Sequence, residues 1–522
     1  MPYRVLIPTA GTGSRLGKLT SHLNKSLVGI ANRPTICHII ERFPTDAEFV
    51  IALGHKGNLV REFLGLAYPD RRFFYADVHP FEGPGSGLGL SVQSCKEFLQ
   101  EPFVFTSCDT LVKEPIPDLS ENWMGYAEVP ELGQYRTLLV RDSKVEDVCE
   151  KGIGRFGTHK AYIGLAGIKE YKLFWESMAA GGAEAVAKGE AYGLRALLGE
   201  GIAARQFTWF DTGNVEAIAA TREAYRQDDE PNILEKENEA IWFVGDQVIK
   251  FSSDAKFIAN RVERVKEIGG FVPEITGSTE HMYRYRKAEG RIMSEAVTIP
   301  VFEKLLERSL AFWERRALGP AESAVFRATC MKFYKDKTLE RVALFYKNFD
   351  KKDGASRIND VEMPPLSAML DAVDWDWLSD GLPGRFHGDF HFENILYQEE
   401  MNGFIFLDWR QEFGGSLSIG DIYYDLAKLL HGLIICHELI AANQYEVDWS
   451  DREIKFDFHR KQILVECEAY LEKWVGKSGF DYKKVKLLTA LIYLNIAALH
   501  HYPYSLLLYA LGKQMLSSSL ER

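Results

Sequence analysis

From Tyr3 to about Tyr225 the chain alternates short β-branched or aromatic runs with helical patterns, and this restricts the fold more than any other feature. "YRVLIP", "EFVIALG", "RRFFYAD", "FVFTSCD", "WMGYAEV", "RTLLVRD" and "KAYIGLAGI" read as strands. "RPTICHIIERF", "NLVREFLG" and "LGLSVQSCKEFL" read as helices. Strands that recur between helices must be covered by them, which predicts a Rossmann-like α/β layer with a mixed, mainly parallel sheet. The texture then changes. "REAYRQDDEPNILEKENEA" is charged and has few apolar anchors, and it predicts a linker over 226–237. Beyond it, "AIWFVGDQVIKF" predicts a hairpin with a Gly-Asp turn, "AKFIANRVERVKEI" a helix and "HMYRYRKAEG" another strand. From Ile299 onward long helical patterns dominate. The expected organisation is an α/β domain over 1–225 and a second domain over 238–522, with a small β-rich lobe followed by a large helical one.

A chain of 522 residues is too long for one compact core, in keeping with that division. The net charge of -12 argues against a broad basic surface for nucleic acid, but leaves room for a local pocket that takes a nucleotide. The seven cysteines form no C-x-x-C pair, which argues against a zinc site and fits a reducing, cytoplasmic setting. "MPYRVLIPTAG" is no secretory signal. "LLHGLIICHELIAA" and "LLTALIYLNIAALHHY" are interrupted by polar residues and are expected as buried helices, not membrane spans.

In "VLIPTAGTGSRLGKLTSHLNKSL" a strand runs into glycines, with Arg15 and Lys25 following. It fits neither G-x-G-x-x-G, since Leu16 fills the last position, nor a P-loop, since "GKL" lacks the hydroxyl. A nucleotidyltransferase loop is the third reading: backbone N–H groups approach a triphosphate while Arg15 and Lys25 neutralise it. An ordinary strand turn with a surface arginine competes with it. Asp109, ending "FVFTSCD", and Asp211, in "FTWFDTGN", weigh against the ordinary turn. Carboxylates at strand ends of an α/β sheet lie where ligands bind, and a pair of them can hold Mg²⁺.

Residues 1–225 resemble the nucleoside-triphosphate transferase family of sugar-phosphate and choline-phosphate nucleotidyltransferases, through "AGTGSRL", the lysine of "NKSL", "GPGSGLG", "SCD", "CEKG" and "DTGN". The resemblance implies a GT-A-like fold. It implies that the loop Gly11, Thr12, Gly13, Ser14 and Arg15, with Lys25, holds the triphosphate. Gly85, Ser86 and Gly87 would line the base and ribose pocket, Asp109 and Asp211 bind Mg²⁺, and Glu150 and Lys151 contact the acceptor. Two departures concern the acceptor more than the chemistry: Asn24 replaces the usual proline before the lysine, and Gly152 the one after "EK".

In the second half "GRFHGDFHFENILY" carries His387 and His391, but Gly388 and the alternating phenylalanines argue for a loop, and no third zinc ligand is near in sequence. Read as H-G-D-x-x-x-x-N, it has the spacing of a kinase catalytic loop. Asp389 would accept the acceptor's proton and Asn394 would hold Mg²⁺. The remaining kinase parts occur in order: Lys250 in "QVIKF", Glu263 (with Glu267 as rival) on the next helix, and Asp408 at the end of "FIFLD".

From about residue 238 to at least Leu430 the chain resembles the aminoglycoside phosphotransferase and choline kinase family, through "HGDFHFEN", "LDW" and "GDIYYDLAKL". The resemblance implies a protein-kinase-like α+β fold with Asp389 as base, Asn394 and Asp408 as Mg²⁺ ligands and Lys250 on the ATP phosphates. Asp421 and Asp425 would brace the loop, and the histidines would bond its backbone.

The two halves together predict a bifunctional enzyme. ATP phosphorylates a small hydroxylated metabolite, and CTP or UTP then supplies the nucleoside monophosphate, giving an activated precursor for cell-surface polysaccharide. A sugar or polyol is favoured. Choline, giving CDP-choline, is the alternative, with Trp375, Trp377, Trp409, Tyr423 and Tyr424 as either a cation cage or core. A non-catalytic sensing or scaffolding role for one half is the remaining rival.

Overall fold

The computed structural model describes residues 3–226 and 236–521, so the linker expected over 226–237 falls almost wholly outside them. The contacts divide the chain into two units, Met1–Ala255 with Thr276–Tyr285, and Lys256–Ile275 with Arg286–Arg522.

The first unit is built on a nine-stranded sheet in the order Phe73–Asp77, Glu48–Leu53, Arg4–Pro8, Phe103–Thr106, His159–Ile168, Trp123–Ala127, Ala203–Gln206, Lys144–Cys149, Thr137–Arg141. Arg4–Pro8 pairs in parallel with both neighbours, and His159–Ile168 runs antiparallel to the strands beside it. All the strands expected from the sequence are present. Lys144–Cys149 and Ala203–Gln206 are additional; "KVEDVC" buries only Val145 and Val148, and "AARQ" is short and polar, so neither stands out in sequence.

The helix Gly57–Ala67 buries Leu59, Val60, Phe63, Leu64 and Leu66, the single apolar face that its spacing predicts. The hairpin Glu239–Val244/Gln247–Ser252 forms as expected, turning at Gly245 and Asp246. Strand alternation sends Ile249 and Phe251 into the core that contains Leu59 and Phe63, with Trp242 edge-on to Phe63 at 5.2 Å. Lys250, between them, points to the other face. Sequence texture groups this hairpin with the second domain. The contacts group it with the first unit, because its apolar face finds its core partners there.

The second unit is mainly helical, with Ile299–Phe312, Pro320–Met331, Lys337–Phe349, Ile422–Ile434, Gln462–Lys477, Tyr482–Ala497 and Tyr504–Leu520. The first of the two apolar runs noted above is split: it ends the helix Ile422–Ile434 and, after a break at Ile435 and Cys436, forms the short helix His437–Ala441. The second lies mostly in the largely buried helix Tyr482–Ala497. Among the described residues no helix is long and apolar enough to cross a membrane. A hairpin, Tyr445–Ser450/Glu453–Phe458, interrupts the helices and joins Ser356–Ile358 and Val361–Met363 in a four-stranded sheet. Its partner strand lies far back in sequence (Arg357 opposite Glu453), so no local pattern announces the sheet.

Candidate active sites

In the first unit the parallel strands Arg4–Pro8 and Phe103–Thr106 end on the same edge of the sheet. The glycine loop and Asp109 therefore emerge side by side, at the edge where ligands of open α/β sheets bind. A cavity of about 390 Å³ opens there. Gly11, Arg15, Lys25, Ser86, Gly87, Asp109, Lys151 and Asp211 all line it, bringing together most of the residues expected from sequence. Gly13 shapes the loop rather than lining the cavity: its φ is 68°, and a Cβ there would come within 3.0 Å of the Lys25 and Thr20 side chains. Thr12 and Ser14 flank it, and Gly85 (φ 86°) forms the turn leading to Ser86; none of these three lines the cavity.

Lys25 opens a short 3-10 turn whose cap is Asn24. The fully buried Asn24 accepts from the Ser26 N–H at 2.9 Å and donates to the carbonyls of Thr9 (2.9 Å) and His55 (2.7 Å). It thus fixes by hydrogen bonds the turn that a proline would fix by its ring. The Lys25 ammonium lies 3.4 Å from Asp109. Burial works against the charge on Asp109, but Lys25 and the Ser107 hydroxyl outweigh it and hold the carboxyl below the usual range. Burial raises the Asp211 carboxyl, and the charge of Asp109 adds to that.

Both carboxylates converge beside Gly213. A Cβ added there would sit 3.0 Å from Asp211 Oδ1, 3.5 Å from Asp109 Oδ2 and 3.5 Å from the Arg15 guanidinium. Two like charges aimed at one small cradle fit a hard divalent cation with oxygen ligands.

The acceptor end differs from expectation. Glu150 is absent from the cavity lining because Arg136 (3.1 Å) and Arg195 (2.6 Å) hold its carboxylate. Arg136, Tyr162, Glu190 and Trp209 line the cavity instead. Glu190 opens a helix, where an acidic residue needs no functional explanation, so sequence gave it no weight.

In the second unit the segment 384–398 is a loop followed by a short 3-10 turn and a strand. Gly388 has φ 88°, and a Cβ there would meet the Arg410 side chain at 2.5 Å. Asp425 anchors the loop, accepting from the N–H groups of His387 and Gly388 (both 2.6 Å) and from the Trp313 indole (3.0 Å). Asp421 caps the helix Ile422–Ile434 and accepts from the Tyr334 hydroxyl at 2.6 Å. The buried Arg264 guanidinium spans the carbonyls of Phe386, Arg410 and Leu417.

On this frame Asn394 donates to the Asp389 carbonyl (2.9 Å) and carboxylate (3.2 Å). Asp408, at the end of the strand Gly403–Phe406, takes a left-handed backbone (φ 55°) and meets Arg261 at 3.2 Å. His387 bonds backbone groups, Leu407 C=O at 2.8 Å and Asp389 N–H at 3.2 Å, and burial pushes its imidazole down to about 3. His391 instead reaches side chains, Asn394 at 3.1 Å and Asp389 at 3.5 Å. Glu263 is not brought to this group. Its carboxylate is 52% exposed and pairs with Lys266, and its rival Glu267 pairs with Arg316. Lys250 is buried in the first unit, with its ammonium 5.8 Å from the centre of the Tyr285 ring.

Sequence reasoning missed Lys428. Its ammonium lies 2.8 Å from Asp389, whose side chain is 41% exposed and so open to a ligand. Burial opposes both charges. Even so, Lys428 and His391 hold the Asp389 carboxyl well below the usual range, and Asp389 raises the Lys428 ammonium. A signal was present: Asp425, Lys428 and His431 recur at i, i+3 and i+6 in an otherwise apolar helix, so they share its loop-facing side. Lys337 adds to the basic surroundings; burial pushes it down to about 7, with Arg410, Arg341 and Lys428 contributing.

The five aromatics considered as a cage do not converge on one point. The Trp409 indole bonds the Arg261 carbonyl, that of Trp375 the Leu370 carbonyl, Tyr424 packs on Phe333, and Trp377 and Tyr423 both face the Lys484 ammonium, at 5.2 and 5.4 Å.

Residues 339–454 match the phosphotransferase enzyme family. The match includes Asp389, Asn394, Asp408, Asp425 and Lys428. The chain is also similar to the CMP-5'-(3-aminopropyl)phosphonate synthase of Streptomyces rubellomurinus, at 33% identity over 117 residues, 22% of this chain and 18% of that protein. It is 30% identical over 118 residues to the low-salt glycan biosynthesis nucleotidyltransferase Agl11 of Haloferax volcanii, 22% of this chain and 32% of that protein. The chain thus spans less than a third of the length of either relative. Among solved structures it resembles a UDP-glucose pyrophosphorylase complexed with UDP-glucose, at 19% identity and TM-score 0.37, covering 43% of this chain and 98% of that one. These likenesses are to transferases. The fold is an α/β first unit with a mainly helical second unit, and the phosphotransferase-family match lies within the second.

Proposed function

We propose that the chain is a bifunctional transferase that activates a small hydroxylated metabolite, a sugar or polyol, in two steps. The observation that carries the reading is the convergence of Asp109, Asp211 and Arg15 beside Gly213, in the same cavity that Gly11, Lys25, Ser86 and Gly87 line.

In the first step the acceptor hydroxyl attacks the γ-phosphorus of ATP, the bond to the β-phosphate oxygen breaks, and ADP leaves. Asp389 takes the hydroxyl proton. Lys428 holds Asp389 ionised and stands where it can neutralise the transferring phosphoryl group. Asn394 and Asp408 in this site, and Asp109 and Asp211 in the other, would hold Mg²⁺, which offsets phosphate charge.

In the second step an oxygen of the acceptor's phosphate attacks the α-phosphorus of CTP or UTP, and pyrophosphate leaves. No general base is needed, because the attacking phosphate is already ionised. Arg15 and Lys25 orient the triphosphate and neutralise the leaving group. The Lys428 ammonium 2.8 Å from Asp389 favours a hydroxylated acceptor over a quaternary ammonium. The product would be an activated precursor for a cell-surface polysaccharide, made in the cytoplasm.

Mass spectrometry of full-length protein incubated with ATP, CTP, UTP, Mg²⁺ and a panel of sugars, polyols, choline and ethanolamine tests this. An acceptor phosphate followed by its nucleotide conjugate is expected. Absence of both from every mixture would reject the proposal.

A further inference from the structure

Beside the Asp389 loop of the second unit, cations gather without carboxylates to pair with. Arg410 packs its side chain on Gly388, the residue before Asp389, where a Cβ would come within 2.5 Å of it. The Arg410 guanidinium and the Lys337 ammonium lie over the same ring, that of Phe333, at 4.9 and 4.3 Å from its centre. Lys337 follows the π turn Lys332–Asp336, a distortion that recurs where a helix serves a site. Arg341 lies one turn further along the helix Lys337–Phe349, on the same face as Lys337. Like charges at that spacing destabilise a helix. Among the described residues no carboxylate forms an ion pair with Lys337, Arg341 or Arg410, and Arg410 Nε is buried without a hydrogen-bond partner. Asp389 is taken by Lys428, at 2.8 Å. Repulsion from Arg410, Arg341 and Lys428 adds to burial in pushing the Lys337 ammonium down.

Half-buried cations that repel one another and lack partners make a site for an anion. Its place indicates which one. Asp389 Oδ2 turns to Asn394 (3.2 Å), the proposed metal ligand, and Oδ1 to Lys428 (2.8 Å). A triphosphate goes with the metal. Arg410 instead acts on Lys428, so the cluster borders the Oδ1 side. We propose that Arg410, Lys337 and Arg341 bind an oxyanion on the acceptor itself, a carboxylate or phosphate carried by the same sugar or polyol whose hydroxyl Asp389 deprotonates. The inference rests on the kinase reading above. A guanidinium fork matches two oxygens of either group. The transfer itself is unchanged: the hydroxyl oxygen bonds the γ-phosphorus, ADP leaves with the electron pair of the broken bond, and the proton goes to Asp389. The oxyanion stays intact and fixes which hydroxyl faces Asp389.

The test is initial-rate ADP release by the full-length protein with ATP and Mg²⁺. Acceptors are matched sets: glucose with glucuronate and glucose 6-phosphate, glycerol with glycerate and glycerol 3-phosphate, and choline alone. The variants are Lys337→Met, Arg341→Gln and Arg341→Lys. The wild type is expected to use a carboxylated or phosphorylated member at least about tenfold better, in kcat/KM, than its neutral parent, and the preferred member tells carboxylate from phosphate. Lys337→Met and Arg341→Gln should raise the KM for that acceptor by roughly 10- to 100-fold and leave the ATP KM within about twofold. Arg341→Lys, which keeps the charge, should recover part of the loss. Arg341→Gln decides the matter if Lys337→Met fails to fold. A wild type that prefers the neutral parents or choline overturns the subsite and leaves the kinase reading standing. So does an unchanged acceptor KM in the variants, or a shift in the ATP KM instead, which would assign the cluster to the triphosphate. No ADP release with any acceptor removes both.

Discussion

At Gly213 only a hydrogen faces the carboxylates proposed to hold Mg²⁺. A methyl group there would lie 3.0 Å from Asp211, 3.5 Å from Asp109 and 3.5 Å from the Arg15 guanidinium, crowding the carboxylates that would hold Mg²⁺. Gly213→Ala is therefore expected to lower nucleotidyl transfer by about 100-fold and to raise the Mg²⁺ concentration for half-maximal rate, with ATP-dependent phosphorylation unchanged; titrating Mg²⁺ in both half-reactions reads this. Lys428 supplies the complementary case. Replacing it with methionine keeps the aliphatic stem and removes the charge 2.8 Å from Asp389. Phosphorylation should fall by roughly 10²- to 10³-fold, while transfer to an acceptor phosphate supplied directly should persist. Equal loss in both half-reactions would mean that Lys428 serves folding alone.

At the scale of elements, the helix Ile422–Ile434 organises the second site: Asp421 caps it, Asp425 anchors the loop and Lys428 reaches Asp389. That face was legible in principle, because polar residues at helical spacing in an apolar run need partners. What sequence could not show was the partner, since the loop lies nearly forty residues away, with a separation of 38 from His387 to Asp425. The chemistry-bearing spacings, H-G-D-x-x-x-x-N and the carboxylates after strands, were legible because they are local. Glu150 and Glu263 were misleading for the same reason: motif position alone nominated them, and arginines on other elements hold Glu150 while solvent and Lys266 take Glu263. His387 makes a prediction about stability. Burial lowers its imidazole from 6.5 to about 3, so between those values the unfolded chain binds the proton that the folded chain refuses. Stability is full above about pH 6.5 and is lost as pH falls, by about 1.4 kcal/mol per unit from this group. Urea unfolding followed at pH 7.5, 6.5 and 5.5 should show the loss beginning below 6.5, and a flat profile to 5.5 would contradict it.

At the scale of the whole molecule, the hairpin that carries Lys250 shares the core of the first unit through Trp242, Ile249 and Phe251. Each such side chain is worth about 1.5–3 kcal/mol of burial, and a domain's net stability is only about 5–15 kcal/mol. A fragment ending at residue 225 is thus expected to aggregate or to melt well below the full chain, although sequence texture alone makes 225 a natural end. A soluble 1–225 fragment with full-length melting temperature and transferase rate would show that the shared core is dispensable. The central claim is that the phosphate placed by one site is the nucleophile at the other. It is tested most directly by supplying ATP labelled with ¹⁸O in its γ-phosphate together with unlabelled CTP or UTP, and reading the conjugate by ³¹P NMR. The account predicts three labelled oxygens on the acceptor-side phosphorus, one of them the bridge that also shifts the nucleotide-side phosphorus, no product of either step with Asp389→Asn, and labelled acceptor phosphate accumulating unconjugated with Asp109→Asn. Label absent from the conjugate, or conjugate formed undiminished by either variant, would contradict it.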